Sequence, residues 1–495
     1  MSSNLRDAQL PADPGEATAA AADAIVEAPR PSSGGSWRAL IDRVSERIGT
    51  ARSRLPGRGR PGDPVAMAGL LLSNSGEAER LRISAELADL LRQVDDAELL
   101  QFFLYLASQL GPDEAPLKLA AAAYLERPDR ETAAALGAAA EPRRRELLRR
   151  LNMAPQGTAL IVLLRERALA MAKQHPELAT VTADLLHLLS SWFNRGFLKA
   201  EQINWNSPAA ILENVIKYEA VHEIRDWDSL RSRLQGNRRC FGFFHPAMPG
   251  VPLIFIEVAL TTEMSGAIAP LLSLADQEAP NKAPTTAIFY SINNCHKGLG
   301  GINLGDLLIK QVVLDLRTEF PSLKNFATLS PIPGFRRWLA SAQKQSQLVP
   351  PAVAEVLATP EWWLDPALSG RIASALPALC AKYLTGTGPD GLAGRASDPV
   401  ARFHLSNGAR LERINWLADL SAKGIAESWG MMVNYSYRLN SIEANHRAFS
   451  ADGKVIVSGP VQQLRDLNTA AQRFSFGSLM PSLGRAGRAP KAERP

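Results

Sequence analysis

The sequence predicts an α+β protein, with an all-helical region first and a mixed β-sheet carrying a helical insertion second. Three observations support this. From about Pro64 to Phe193 apolar residues recur at helical spacing throughout. From Cys240 onward, β-branched and aromatic runs of strand length are separated by turn-rich connections. Between Phe335 and Arg395 helical patterning returns, carrying Trp338, Trp362 and Trp363.

In chain order, residues 1–65 are rich in Ala, Pro, Ser, Gly and Arg and predict a loose tail. Within it Trp37, Leu40, Ile41, Val44 and Ile48 form a basic amphipathic stripe, suited to a membrane surface or, preferably, to the protein's own helices. Residues 66–192 predict a helical domain with possible oligomerisation. There Ile83, Leu87, Leu90, Leu91 and Val94 make one stripe, and Asp95 with Glu98 reads as a capping pair ahead of Leu99, Phe102, Phe103 and Leu106. Arg143, Arg144, Arg145, Arg149 and Arg150 read as a solvated helix face. Residues 193–475 predict a second, sheet-bearing domain, with Cys240 to Phe244 and Val251 to Thr261 flanking a hairpin connection from His245 to Gly250. Residues 476–495, rich in Gly, Pro and Arg, predict a flexible tail.

The segment Asn294–Gly305 is the strongest chemical signal. A strand-length run with Ile288, Phe289, Tyr290 and Ile292 enters it, and a helical stripe of Leu304, Leu307, Leu308, Val312 and Leu316 leaves it. Glycines 298, 300, 301 and 305 allow close backbone approach at a helix N-terminus, where free N–H groups favour phosphate. The spacing fits neither a dinucleotide fingerprint nor a Walker loop, and no lysine stands at the helix start. A pyrophosphate held mainly by backbone is the favoured guest, a purely structural turn the alternative.

Ser330 heads the run Ser330-Pro331-Ile332-Pro333-Gly334, where two prolines stiffen the turn at a strand end. His404 lies on an apolar stretch that returns to the sheet before an Asn407-Gly408 turn. The stretch Leu411–Asp419 then mixes apolar residues with charged and amide groups, and buried polar groups need partners. A turn serine and a structural histidine are the bland readings of the two.

From about Trp205 to about Phe474 the chain resembles the malonyl-CoA decarboxylase family. The likeness rests on Glu219-Ala220-Val221-His222, Phe244-His245-Pro246, Lys297-Gly298-Leu299, Leu329-Ser330-Pro331-Ile332-Pro333-Gly334-Phe335, Phe403-His404-Leu405, Arg413-Ile414-Asn415-Trp416 and Val433-Asn434-Tyr435. It implies a helical N-terminal domain and a catalytic domain of the N-acetyltransferase superfamily fold. It also implies a malonyl-CoA-binding loop at Gly300, Gly301, Ile302, Asn303, Leu304, Gly305 and Asp306, and a pair in which Ser330 is proton acceptor or relay and His404 proton donor. The implied reaction yields acetyl-CoA and CO2 through an enolate, needs no metal or organic prosthetic group, and belongs to a homotetramer or other homo-oligomer. Two departures stand out: His296 occupies an expected glutamine position, and Asn303 is neutral where some members carry an acid.

Composition narrows the alternatives. A formal charge of +5 suits a polyanionic coenzyme, and no nucleic-acid motif is present. Cys240, Cys295 and Cys380 are odd in number and scattered, which favours a reducing compartment; Cys295 reads as a small buried hydrophobe rather than a catalytic thiol. No run approaches the ~20 apolar residues of a membrane span, and acidic residues at 7, 13, 16, 23 and 27 disfavour a transit peptide, so the expected location is cytoplasmic. Two other functions fit the same expected fold: a CoA-dependent acyltransferase and a non-catalytic acyl-CoA sensor.

Overall fold

A computed structural model describes residues 62–73, 76–273, 282–345, 349–386, 396 and 398–467. The Trp37–Ile48 stripe and the tail from residue 476 lie outside them. Of the compact unit Met1–Ala66, the described part is chiefly the start of the helix Pro64–Leu72; the unit Met67–Pro495 carries everything below.

The helical region follows the predicted stripes. Leu99, Phe102, Phe103 and Leu106 on the helix Asp96–Gln109 are all fully buried, each contributing about 2 kcal/mol through apolar burial. Asp95 caps this helix by accepting from the Glu98 N–H at 2.8 Å, so the capping pair is realised in that direction. The arginine run is not uniformly solvated. Arg144, buried, and Arg145 converge on Asp184 of the helix Ala179–Trp192, with Nε–Oδ distances of 2.5 and 2.6 Å, and Arg150 donates to the Leu71 carbonyl. The helix Arg143–Leu151 is short, and its apolar face of Leu147, Leu148 and Leu151 carries Arg144 inward with it, where a carboxylate offsets the desolvation.

The sheet has strands β1 (Lys199–Ile203), β2 (Arg238–Phe244), β3 (Ile254–Thr261), β4 (Thr286–Asn294), β5 (Asn325–Thr328), β6 (Ser330–Pro331), β7 (Arg410–Asn415) and β8 (Met432–Ser436). Its order is β1-β2-β3-β4-β5-β8-β6, with β7 also paired to β8. The β2 and β3 hairpin appears where the sequence predicts it. β3 and β4 are buried along nearly their whole length, which explains their unbroken apolar runs. The helix Leu304–Glu319 covers β2 and β3.

One topological detail creates the site. β4 and β5 pair in parallel from Thr286↔Asn325 to Phe289↔Thr328 and no further. Beyond that point β4 continues to Asn294, while β6 leaves to join β8 at Ser330↔Val433. The two chains part and leave a gap between them.

The helical insertion is anchored by aromatic packing. Trp362 is fully buried and meets Trp363, Trp416 and Trp429 at ring-centroid distances of 5.9, 5.8 and 6.0 Å, while the Arg336 guanidinium stands 3.9 Å above the Trp429 ring.

Candidate active site

A cavity of about 270 Å³ fills the gap between β4 and β6. Val221, Ile254, Phe289, Ile292, Val400 and Phe403 give it apolar walls, and Ser291, Asn294, Ser330 and His404 supply polar groups. Among the described residues no Asp, Glu, Lys or Arg side chain lines it, and His404 is its one imidazole.

Ser330 Oγ lies 3.1 Å from His404 Nε2, so the two residues, 74 apart in sequence, do meet. Both are buried. Ser330 also donates to Thr328 Oγ1 at 2.8 Å, and that oxygen accepts from the Tyr435 N–H at 3.2 Å. On the far side of the imidazole, Nδ1 is 2.8 Å from the Tyr437 hydroxyl. The Tyr435 ring stacks on His404 with centroids 4.7 Å apart. The imidazole is thereby fixed in position, plane and hydrogen-bond pairing.

His404 is not on the sheet, as its apolar setting suggested. It occupies the last turn of the helix Pro399–Ser406, which begins with Pro399 at its first position behind the N-cap Asp398 and ends at Gly408, φ +80°. The Asn407-Gly408 pair therefore ends a helix rather than making a hairpin. Asp398 ties together the segments that carry Ser330 and His404. Its Oδ1 accepts from the Val400 and Ala401 N–H groups at the helix start, and its Oδ2 accepts from the Gly334 N–H, just past the Ser330 turn, and from Tyr383 Oη.

Burial pushes the His404 pKa from 6.5 down to about 3, so the imidazole is neutral in the native protein near pH 7. An unfolded chain titrates histidine near its ordinary value and therefore binds more protons as pH falls through that interval. The stability contribution is complete above about pH 6.5 and is lost between there and about pH 3. His222, lowered to about 4 by burial, acts in the same direction. The melting temperature should fall on acidification below pH 6.5 less steeply for His404→Gln than for the wild type; equal slopes in calorimetric scans would remove His404 as a cause.

The glycine turn is only partly as expected. Lys297–Leu299 forms a 3₁₀ turn, Gly301 adopts φ +89°, and the helix starts at Leu304 without a side-chain cap. A left-handed turn with uncapped helix N–H groups suits an anion. Two of the glycines have another reason: a Cβ on Gly298 would stand 2.0 Å from the Val162 carbonyl oxygen, and one on Gly305 would stand 2.6 Å from the Phe403 ring. Asp306 sits in the first helical turn, one oxygen on Lys310 at 2.9 Å and the other buried without a partner. Asn303 and His296 do not line the cavity; His296 faces the Tyr218 ring at 5.6 Å.

Cys295 is buried, and burial raises its thiol pKa, which fits the apolar reading. All three cysteines are free. Among the described residues no group of three His, Cys, Asp or Glu side chains could hold a metal, and no helix is long and apolar enough to cross a membrane.

Sequence reasoning missed Thr328, Tyr437 and Asp398. Strand alternation offered the first two, since Thr328 and Ser330 are two apart, as are Tyr435 and Tyr437. The pair Asp398-Pro399 is a helix-start signature.

A hydroxyl and a neutral imidazole meet here in a cavity that no charged side chain lines, an arrangement suited to enzymatic proton chemistry. Residues 196–475 match the family model for the malonyl-CoA decarboxylase C-terminal domain, and residues 110–193 match that for its N-terminal domain. The mitochondrial malonyl-CoA decarboxylase of Anser anser anser is 39% identical over 339 residues, spanning 62% of this chain and 66% of that protein. The Rattus norvegicus protein of the same description is 34% identical over 354 residues, 65% of this chain and 71% of its own. Crystal structures of malonyl-CoA decarboxylases from Rhodopseudomonas palustris and Agrobacterium vitis, each 46% identical, align with TM-scores of 0.75 and 0.77. They cover 82% and 81% of this chain, and 100% and 99% of theirs. The chain belongs to the malonyl-CoA decarboxylase family, which is a family of carboxy-lyases.

Proposed function

We propose that the chain converts malonyl-CoA to acetyl-CoA and CO2, with Ser330 and His404 handling the proton and the loop Gly300, Gly301, Ile302, Asn303, Leu304, Gly305 and Asp306 receiving the coenzyme's phosphates. The observation that carries this reading is the 3.1 Å Ser330–His404 contact inside a cavity that no charged side chain lines. Beyond Phe289 the β4 edge has no β5 partner, so its backbone groups can pair with the amides of an extended pantetheine arm, as an added strand would.

The chemistry follows from the lining. A malonyl carboxylate beside Ile254, Ile292, Val400 and Phe403 is poorly solvated, whereas CO2 is neutral, so the walls favour loss of CO2. The bond between the central carbon and the carboxylate breaks, and its electron pair moves into the thioester as an enolate. Each donor aimed at the enolate oxygen contributes roughly 3 kcal/mol. The incoming carboxylate also raises the His404 pKa, drawing a proton from solvent onto the imidazole. Both ring N–H groups then have acceptors in Ser330 Oγ and Tyr437 Oη. The proton passes through Ser330 to the carbanion, which becomes the acetyl methyl, and the imidazole returns to neutral. No metal or prosthetic group has a step in this sequence.

Incubation with malonyl-CoA alone tests the proposal. Acetyl-CoA and CO2 in equal amounts support it. Free CoA appearing only with an amine acceptor, or binding without turnover, would replace it with a transferase or a sensor.

Three further assignments belong to this proposal. We divide the chain into a helical domain at 66–192 and a catalytic domain at 193–475, with tails at 1–65 and 476–495. A homo-oligomer, a tetramer in the first instance, forms through the helices Glu114–Glu126 and Arg130–Ala139, which bury only Thr132 between them and leave Leu119 74% and Leu125 81% exposed; a monomeric mass by sedimentation would exclude it. Three unpaired thiols suit the reducing cytoplasm, a location that cell fractionation tests.

A further inference from the structure

We propose that Arg165, on the helix Gly157–Met171 of the helical region, is a positioning residue for the substrate loop: it holds the glycine turn so that the Gly301 N–H faces outward for a coenzyme phosphate. The inference rests on the reading of residues 300–306 as the phosphate loop.

Arg165 is buried, and one terminal nitrogen, Nη1, donates to two carbonyls of the turn, Gly298 O at 2.5 Å and Gly300 O at 2.8 Å. In a planar trans peptide the C=O and the following N–H point in opposite directions. Drawing the Gly300 carbonyl towards Arg165 therefore sends the Gly301 N–H away from it. The Leu299 N–H is already taken by the His296 carbonyl, whereas the Gly301 N–H has no backbone acceptor among the described residues. The turn is pressed from the same side by the Val162 backbone against Gly298 and by Leu186 against Gly301, so the side opposite the helical region is the one left for a ligand.

Packing alone does not call for this cation. Its Nε is buried without a partner, and burial lowers its pKa, so the site pays for a charge that a leucine-sized apolar residue would avoid. What the guanidinium supplies distinctively is the grip on two carbonyls, together with positive potential behind the turn. The helical region thus helps to build the substrate site.

The test compares Arg165→Met and Arg165→Lys with the wild type in malonyl-CoA kinetics and in calorimetric titration with CoA. Arg165→Met should raise KM about tenfold and weaken CoA binding in step, with kcat within about twofold, the pattern of lost uniform binding. Lysine, shorter and non-planar, should give an intermediate KM. A folded Arg165→Met enzyme with wild-type KM and CoA affinity, or one whose kcat falls while KM holds, would overturn the proposal. If Arg165→Met does not fold, Arg165→Lys decides: a KM raised a few-fold at constant kcat supports the role, and a wild-type KM refutes it. If the wild type releases no CO2, the decarboxylase reading fails, and the CoA titrations still judge Arg165.

Discussion

Replacing His404 by glutamine should lower kcat for CO2 release from malonyl-CoA by about 10²- to 10⁴-fold, the usual range for a positioned proton donor. KM should change by no more than about twofold, because the described hydrogen bonds of this buried side chain go to Ser330 and Tyr437 rather than to the loop proposed to hold the coenzyme. Glutamine fills similar space and can still meet Ser330 and Tyr437, so folding is retained while titration is lost. Ser330→Ala should fall by a comparable factor, since it cuts the only hydrogen-bonded link from the imidazole to the cavity among the described contacts. The double variant carries the sharper information. If the two residues act as one relay, His404→Gln with Ser330→Ala should be scarcely worse than either single change. A double variant whose loss equals the product of the single losses would mean two independent roles and would end the relay.

The parts of this architecture set by local rules were legible in the sequence. A stripe such as Leu99, Phe102, Phe103 and Leu106 needs only helical geometry, and an Asp at the N-cap needs only an N–H three residues on. The strand-length runs became β2, β3 and β4 because sheets bury both faces of such segments. What stayed hidden depends on contacts between distant segments. Nothing around His404 says that its imidazole meets Ser330; only the family resemblance joined them. Its helix was hidden differently: its start signal, Asp398-Pro399, and its stop at Gly408 were present, but an apolar stretch this short fits a strand equally well. The arginine run misled for a related reason. Periodicity places Arg144 on the inward face, while the carboxylate that makes this tolerable, Asp184, arrives 40 residues later. Arg165 carries no local signal of its two carbonyl partners more than 130 residues away.

Gly298→Ala should be far more damaging than Gly300→Ala, and the contrast separates two explanations of the same glycine-rich turn. If these glycines serve mainly to let a ligand approach the backbone, a methyl at either position should weaken CoA binding and leave the melting temperature alone. The packing says otherwise for Gly298. Its added Cβ would lie 2.0 Å from the Val162 carbonyl oxygen and 2.9 Å from the carbonyl carbon, and since both are backbone no rotamer change relieves the clash. The turn or the helix Gly157–Met171 must shift by about an ångström, enough to cost about 100-fold in turnover when it displaces a binding loop. Overpacking of this kind also lowers stability by about 1–3 kcal/mol. At Gly300, by contrast, φ is −55°, which alanine accepts, and the nearest atom to a new Cβ is the Lys297 carbonyl oxygen at 3.1 Å. Gly300→Ala should therefore lose much less melting temperature than Gly298→Ala, so that its effect is read mainly in CoA binding. Thermal melts and CoA titrations on the two variants read both effects at once: a clear drop in melting temperature for Gly298→Ala alone places the turn's first glycine in the packing against the helical region, whereas equal melts with equally weakened binding would return it to the ligand.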